Sequence, residues 1–306
     1  MTTFVSTHKI HWEHQPSPRT IGLALGGGAA RGIAHIGVLQ VLEENGIFPD
    51  YIAGSSVGAL IGGLYAAGIS ATRLSQISAQ TRWRNLLSVN IPSLSLSNLS
   101  LAGGNLPFFE GATGFFDLDK LADWIHSLVG IPIPFEQLNI PFTAVATDLI
   151  TGETIALNRG PIGPAIRASC SVPGIFTPVH RDGRTLVDGG VSHNLPSSAV
   201  RAMGSDYTIA VDLLPTGGAT VFSRAEEMQY EPRHILDVSM HALYALIRTT
   251  QHDVFPAECV ITPAVGHLSF SNLNAREELI ARGRAAAEEM MPQILTDLRR
   301  PAARAT

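Results

Sequence analysis

An α/β fold built on parallel strands is predicted by three observations. Two apolar runs, Ile21 to Leu25 and Tyr51 to Ala53, each pass through a glycine-rich turn into a helical pattern. Strand and helix patterns then alternate along most of the chain to Leu298. The 306 residues are 45% apolar and 15% charged, enough to bury one large core, and no break in composition divides them.

Residues 1–19 read as a flexible tail. They carry Lys9, Glu13 and Arg19 but neither the apolar segment nor the small-residue cleavage site of a secretory signal. His8, His11 and His14 recur every three residues, yet the polar, proline-flanked terminus gives them no apolar frame, and no metal is expected. The main domain spans about 20–298, followed by a short tail at 299–306. Its first strand, Ile21 to Leu25, enters the turn Gly26-Gly27-Gly28-Ala29-Ala30-Arg31-Gly32, which opens a helix over Ile33 to Asn45. The second strand turns at Gly54-Ser55-Ser56-Val57-Gly58 into a helix over Ala59 to Ala67, rich in small residues and stopped by Gly68. Residues 72–84 again have a helical pattern.

Leu86 to Phe116 differs in character: Ser, Leu, Asn, Gly and Pro dominate, with a single charge at Glu110. A long apolar insertion of this kind suits a lid or a poorly ordered surface excursion, and Phe108, Phe109, Phe115 and Phe116 suit contact with apolar chains or a bilayer surface and equally a place in the core. A helix over Leu118 to Val129 precedes a strand at Phe142 to Thr147, a turn, and a strand at Thr154 to Leu157. Pro164 can be the first residue of a short helix through Ser169. A hairpin around Asp182-Gly183 returns as the strand Arg184 to Val187, ending at Asp188. Helices near Ser197 to Met203, Arg233 to Arg248 and Ala275 to Leu298 alternate with strands at Tyr207 to Leu213 and Cys259 to Thr262.

Gly54-Ser55-Ser56-Val57-Gly58 has the layout of a nucleophile elbow. Glycines two positions either side of Ser56 remove Cβ atoms that would collide in a sharp strand-to-helix turn, and the helix start offers N–H groups and positive dipole. A right-handed crossover between adjacent parallel strands puts the upstream glycine turn at the same sheet edge. The amides of Gly27, Gly28 and Ala29 can therefore face Ser56 as oxyanion donors.

A serine nucleophile needs a proton acceptor. Asp188 is the strongest candidate, because it ends a strand and Gly189 and Gly190 leave its approach unobstructed. His193, His234 and His267 follow it and would complete a Ser-Asp-His order, but they occupy a turn, a helix start and a glycine-flanked loop. His35, in the helix after the glycine turn, reads as a core histidine bonded to a nearby carbonyl.

With the glycine turn, the elbow and Asp188-Gly189-Gly190 in this order, the chain resembles the patatin-like phospholipases, in particular the bacterial branch similar to the catalytic domain of neuropathy target esterase. The resemblance covers Ile21 to about residue 295, carried also by GGGAARGIAHIGVL at 26–39, ATDLITGE at 146–153, ASCSVPGIFTPV at 168–179 and DGGVSHNLP at 188–196. It implies a three-layer α/β/α fold with a central, mostly parallel sheet, a lipid acyl-ester substrate and no cofactor. It also implies a Ser56-Asp188 dyad without catalytic histidine, with oxyanion donors at Gly27, Gly28 and Ala29. Supporting positions fall on Arg31, Gly32, Gly54, Gly58, Gly189 and Gly190. Ala29 departs from the family's G-x-G-x-x-G: it is tolerated at negative φ and distorts the loop if φ must be positive. Arg31 either holds the loop or meets a phosphate head group.

Other classes fit less well. A net charge of −5 with no basic run argues against nucleic acid. Gly26, Gly28 and Gly32 with Glu43 or Glu44 imitate a dinucleotide fingerprint, but the spacing is off and the acidic pair lies within a helix. A catalytically weak lipid- or partner-binding module on the same fold is the alternative, with Ala29 its one hint. Cys170 and Cys259 lack C-x-x-C spacing, and no segment reaches the ~18 uninterrupted apolar residues of a membrane span, so a cytoplasmic protein with at most peripheral membrane contact is expected.

Overall fold

The computed structural model describes residues 19–86, 88–89, 113–130, 132–214, 235–250, 257–271 and 273–300. The larger of its two sheets has strands β1 (Ile21–Leu25), β2 (Tyr51–Ser55), β5 (Phe142–Asp148), β6 (Thr154–Leu157), β8 (Val179–Arg181), β9 (Arg184–Asp188), β10 (Tyr207–Val211) and β11 (Cys259–Ile261). Their order is β11-β10-β1-β2-β5-β9-β8, with β6 also paired to β5. The first five strands of that order are parallel, whereas β6, β8 and β9 pair antiparallel.

Alternation along the parallel strands sorts the two faces. Leu23, Leu25, Ile52, Ile209 and Val211 join the main core with helices α1 (Ala34–Glu44) and α2 (Val57–Ala66). Ala24, Ala53 and Ala210 face the opposite way and pack on Val200 of helix α6 (Ser197–Ala202). That layer is thin because a Cβ on Gly22 would lie 2.0 Å from Val200. The result is the three-layer α/β/α arrangement. Helices α3 (Ala71–Gln80), α4 (Asp119–Val129) and α5 (Ile162–Ser169) follow in chain order before α6. Two more, α7 (Ile235–Thr250) and α8 (Arg276–Leu298), come after β10 and β11. Helices α1 and α8 touch backbone to backbone: a Cβ on Gly37 would meet the Ile280 carbonyl at 2.0 Å, and one on Gly283 the Ala34 carbonyl at 2.0 Å.

Register along β5 positions the site. Val145 lies between Ser55 of β2 and Ala156 of β6, while the next residue, Ala146, lies between Ile155 of β6 and Asp188 of β9. Strands β2 and β9 therefore share one edge of β5 and run toward each other, their last residues abutting at consecutive positions.

Two expectations change, and others lie outside the described residues. Helix α5 begins at Ile162, so Pro164 is its third residue; Pro161 serves as N-cap, and the buried Ile162 donates its N–H to Ile133. Much of the lid candidate, at 87 and 90–112 and including Phe108 and Phe109, lies outside the described residues, as do the three N-terminal histidines. Its flanks contribute β3 (Ser88–Val89) and β4 (Gly114–Asp117) to a second sheet, in which β4 pairs with both β3 and β7 (Gly174–Phe176). Both Phe115 and Phe116 are thus strand residues, and Phe115 is 52% exposed.

Candidate active site

Strand β2 ends at Ser55, and α2 begins at Val57. Ser56 between them holds φ 54° and ψ −126°, a conformation L-residues rarely adopt and one that persists only under tight constraint. The flanking glycines are required by contact: a Cβ on Gly54 would lie 2.4 Å from the Gly58 carbonyl, and one on Gly58 would lie 2.1 Å from that of Leu25. The Ser56 N–H, having left the sheet ladder, donates to Ser169 Oγ at 2.9 Å.

Ser56 Oγ donates to Asp188 Oδ2 at 2.6 Å, and both residues are buried. The other oxygen, Oδ1, accepts the Gly190 N–H at 2.8 Å. Burial pushes the carboxyl up to about 6, against these two hydrogen bonds, which favour its charged form. Gly189 admits no side chain, since its Cβ would lie 2.1 Å from the Val145 carbonyl.

Both Asp188 oxygens are engaged without a histidine. His193 Nε2 pairs with Ser198 Oγ at 2.8 Å, and His267 Nε2 meets Glu278 at 2.9 Å. His35 is wholly buried, bonds the Gly26 carbonyl at 2.8 Å and is pushed by burial down to about 4, so it is neutral near pH 7. His234 lies outside the described residues.

The glycine turn lies against the elbow, because a Cβ on Gly27 would come within 3.1 Å of Ser56 Cβ. Its three amides are not equivalent. The Gly27 N–H donates to the Asn194 carbonyl at 3.3 Å, whereas those of Gly28 and Ala29 have no hydrogen-bond acceptor among the described residues. Ala29 sits at φ 49°, so the departure from glycine falls where it costs most. Gly32 is confined by Val57, 2.2 Å from its Cβ position. Arg31 is buried, donates to the carbonyls of Leu268 (2.8 Å) and Gly266 (2.7 Å), and lies 3.7 Å from the centre of the Phe270 ring. The Ala30 N–H is held by the Phe270 carbonyl.

Helix α7 supplies an apolar wall beside the glycine turn. Its Tyr244 and Ile247 cluster with Leu214 and Phe270 against Ala29, and Ile247 Cδ1 lies 3.5 Å from the Gly190 Cβ position. Ser169, Asn194, Phe270, Tyr244 and Ile247 were not singled out from sequence. Ser169 and Asn194 stand inside two quoted family blocks, which was the available signal; the other three gave none.

Among the described residues, no group of three or more His, Cys, Asp or Glu side chains is placed to hold a metal, and no helix is long and apolar enough to cross a membrane. A family model described as patatin-like phospholipase matches residues 23–200. An uncharacterized NTE family protein of Mycobacterium tuberculosis is 42% identical over 200 residues, 64% of this chain and 49% of the relative. Patatin-like phospholipase domain-containing protein 6 of Homo sapiens is 35% identical over 197 residues, 63% of this chain and 13% of that protein. The chain thus spans half or less of these relatives' lengths. The crystal structure of VipD from Legionella pneumophila overlays with a TM-score of 0.49 at 16% identity, over 90% of this chain and 67% of that one.

Proposed function

Because this chain belongs to the patatin-like phospholipase family, a membership that implies lipid acyl hydrolysis, we propose that it cleaves fatty-acyl esters of phospholipids or lysophospholipids through Ser56 and Asp188. The 2.6 Å hydrogen bond between the buried Ser56 hydroxyl and the Asp188 carboxylate carries the reading. A carboxyl titrating near 6 is ionised at neutral pH yet basic enough to take a proton, unlike an exposed aspartate at about 3.9.

In this mechanism Asp188 accepts the Ser56 proton as Oγ bonds to the ester carbonyl carbon. The Gly28 and Ala29 N–H groups, supported by the dipole of α2, bind the oxyanion. Collapse expels the alcohol, which takes the proton from Asp188, and leaves an acyl-serine. Asp188 then deprotonates a water that attacks the acyl carbon, and Ser56 recovers its proton as the fatty acid leaves. Gly27 acts as a positioning residue, its N–H committed to Asn194. The wall from α7 excludes water and offers acyl contact, and contact with a lipid surface is peripheral.

Ala29 at φ 49° supports the second reading, a weakly active binding module. The strain in one left-handed alanine is about 1–2 kcal/mol, small against the intact dyad. Fluorophosphonate labelling with mapping of the modified residue, together with hydrolysis of a short p-nitrophenyl ester, tests the choice. The expected result is a single label on Ser56 and parallel loss of turnover in Ser56→Ala and Asp188→Asn. A label elsewhere, or turnover indifferent to both substitutions, overturns the acyl-hydrolase reading.

A further inference from the structure

The Ser56–Asp188 pair has no histidine to bridge it, so the placement of the two backbones, with the Gly190 N–H holding the carboxylate, sets the distance between them. Each residue's own N–H is held, and both holders lie on one tripeptide. Ser169 Oγ, fully buried at the last residue of α5, accepts the Ser56 N–H at 2.9 Å and donates to the Val145 carbonyl at 2.5 Å. Two residues on, the Ser171 carbonyl accepts the Asp188 N–H at 2.8 Å. Val145 is the β5 residue opposite Ser55, next to Ala146 opposite Asp188. The Ser169 hydroxyl therefore ties the strained Ser56 backbone to the strand on which the ends of β2 and β9 meet.

Resting on the acyl-hydrolase reading for its catalytic consequence, we propose that Ser169 is a positioning residue: its hydroxyl clamps the elbow so that Ser56 Oγ stays within hydrogen-bond range of Asp188. Without that acceptor the Ser56 amide is buried and unpaired, and its relief is a rotation of the elbow. The Ser56 hydroxyl is one of two groups holding the Asp188 carboxyl down against burial. Loosening it lets burial raise the carboxyl further. A hydroxyl that merely satisfied two buried backbone groups would affect stability and leave that titration unmoved.

The test compares wild type, Ser169→Ala and Ser169→Cys, with Ser205→Ala as a control that deletes a buried hydroxyl paired with Thr208, remote in the fold. Two readouts are taken across pH 4.5–8: p-nitrophenyl ester kinetics, and thermal unfolding relative to the same variant carrying Asp188→Asn, which reports the Asp188 titration without turnover. For Ser169→Ala, kcat should fall about tenfold or more with KM little changed, as expected for a misplaced reacting group. Its acid limb and the stability-derived titration should both move up by roughly 0.5 pH unit or more. The cysteine variant, a weaker acceptor of similar size, should lie between, while Ser205→Ala should lose stability with its limb in place. An unmoved titration in either folded Ser169 variant overturns the clamp. A raised titration in a chain that never hydrolyses an ester sustains the clamp and defeats the acyl-hydrolase reading instead.

Discussion

The proposed nucleophile and its proposed base reach their meeting point from opposite halves of the sheet. Ser56 arrives on the parallel half, at the end of β2, where a strand-to-helix turn with two obligatory glycines shapes it locally. Asp188 arrives on the antiparallel half, at the end of β9, where its role depends on pairing one position beyond β2 along β5. The first residue is specified by its pentapeptide and the second by register. Chemistry at such a seam is exposed to two different kinds of damage, chemical at the turn and geometric along the strand.

The largest expected effect removes one partner from each half. Ser56→Ala and Asp188→Asn should each lower kcat by about 10³-fold or more, and the double substitution should be little worse than either, as for groups that act as one unit. Ester turnover with folded protein checks this; additive losses would mean that the two halves act independently.

The halves also differ in how pH acts on them. Burial raises the Asp188 carboxyl from 3.8 to about 6, so the fold favours its protonated form. The associated stability is fully present below about 3.8 and is lost as pH rises through about 6. At about 1.4 kcal/mol per pH unit this amounts to roughly 3 kcal/mol. Asp188→Asn should therefore be more stable than wild type at pH 7.5, with the advantage shrinking toward pH 4, as read by chemical denaturation. Activity should run the opposite way, with an acid limb near 6, because only the ionised carboxylate accepts the serine proton.

Two glycines of the antiparallel half separate register from local turn chemistry. Gly189→Ala forces a Cβ against the Val145 carbonyl and should cost about 3 kcal/mol or more, and activity with it. Gly183→Ala, at the open tip of the β8–β9 hairpin with φ 74°, should cost only about 1 kcal/mol and leave turnover intact. The smallest effect belongs to Ala29→Gly, which relieves a positive φ and should change kcat by less than about threefold.

This contrast also explains what could be read from the residues alone. The two strand–turn–helix units, the elbow, the paired glycines after Asp188 and the hairpin at Asp182-Gly183 are short-range features, and the structure brings them together with Ser56 and Asp188 in hydrogen-bond contact. The unequal amides of the glycine turn were not legible, because the Asn194 carbonyl that takes the Gly27 N–H comes from the far end of the Asp-Gly-Gly turn. Nor was the apolar wall, since Tyr244, Ile247 and Phe270 have ordinary local surroundings and meet Ala29 only through tertiary packing. The pairing of β4 with β7 was hidden because a three-residue strand carries too little pattern.

The Arg31 anchorage bears on how this enzyme family should be dissected. The region recognised by the family model stops at residue 200, past both dyad residues. Yet the carbonyls gripping the glycine turn come from Gly266, Leu268 and Phe270, and the glycine contact between α1 and α8 closes the same side. A fragment trimmed at the recognised boundary would retain every signature residue while losing the props beneath its glycine turn. The smallest self-supporting unit is thus longer than its diagnostic signature, and truncations cut at that boundary are expected to fail for mechanical rather than chemical reasons.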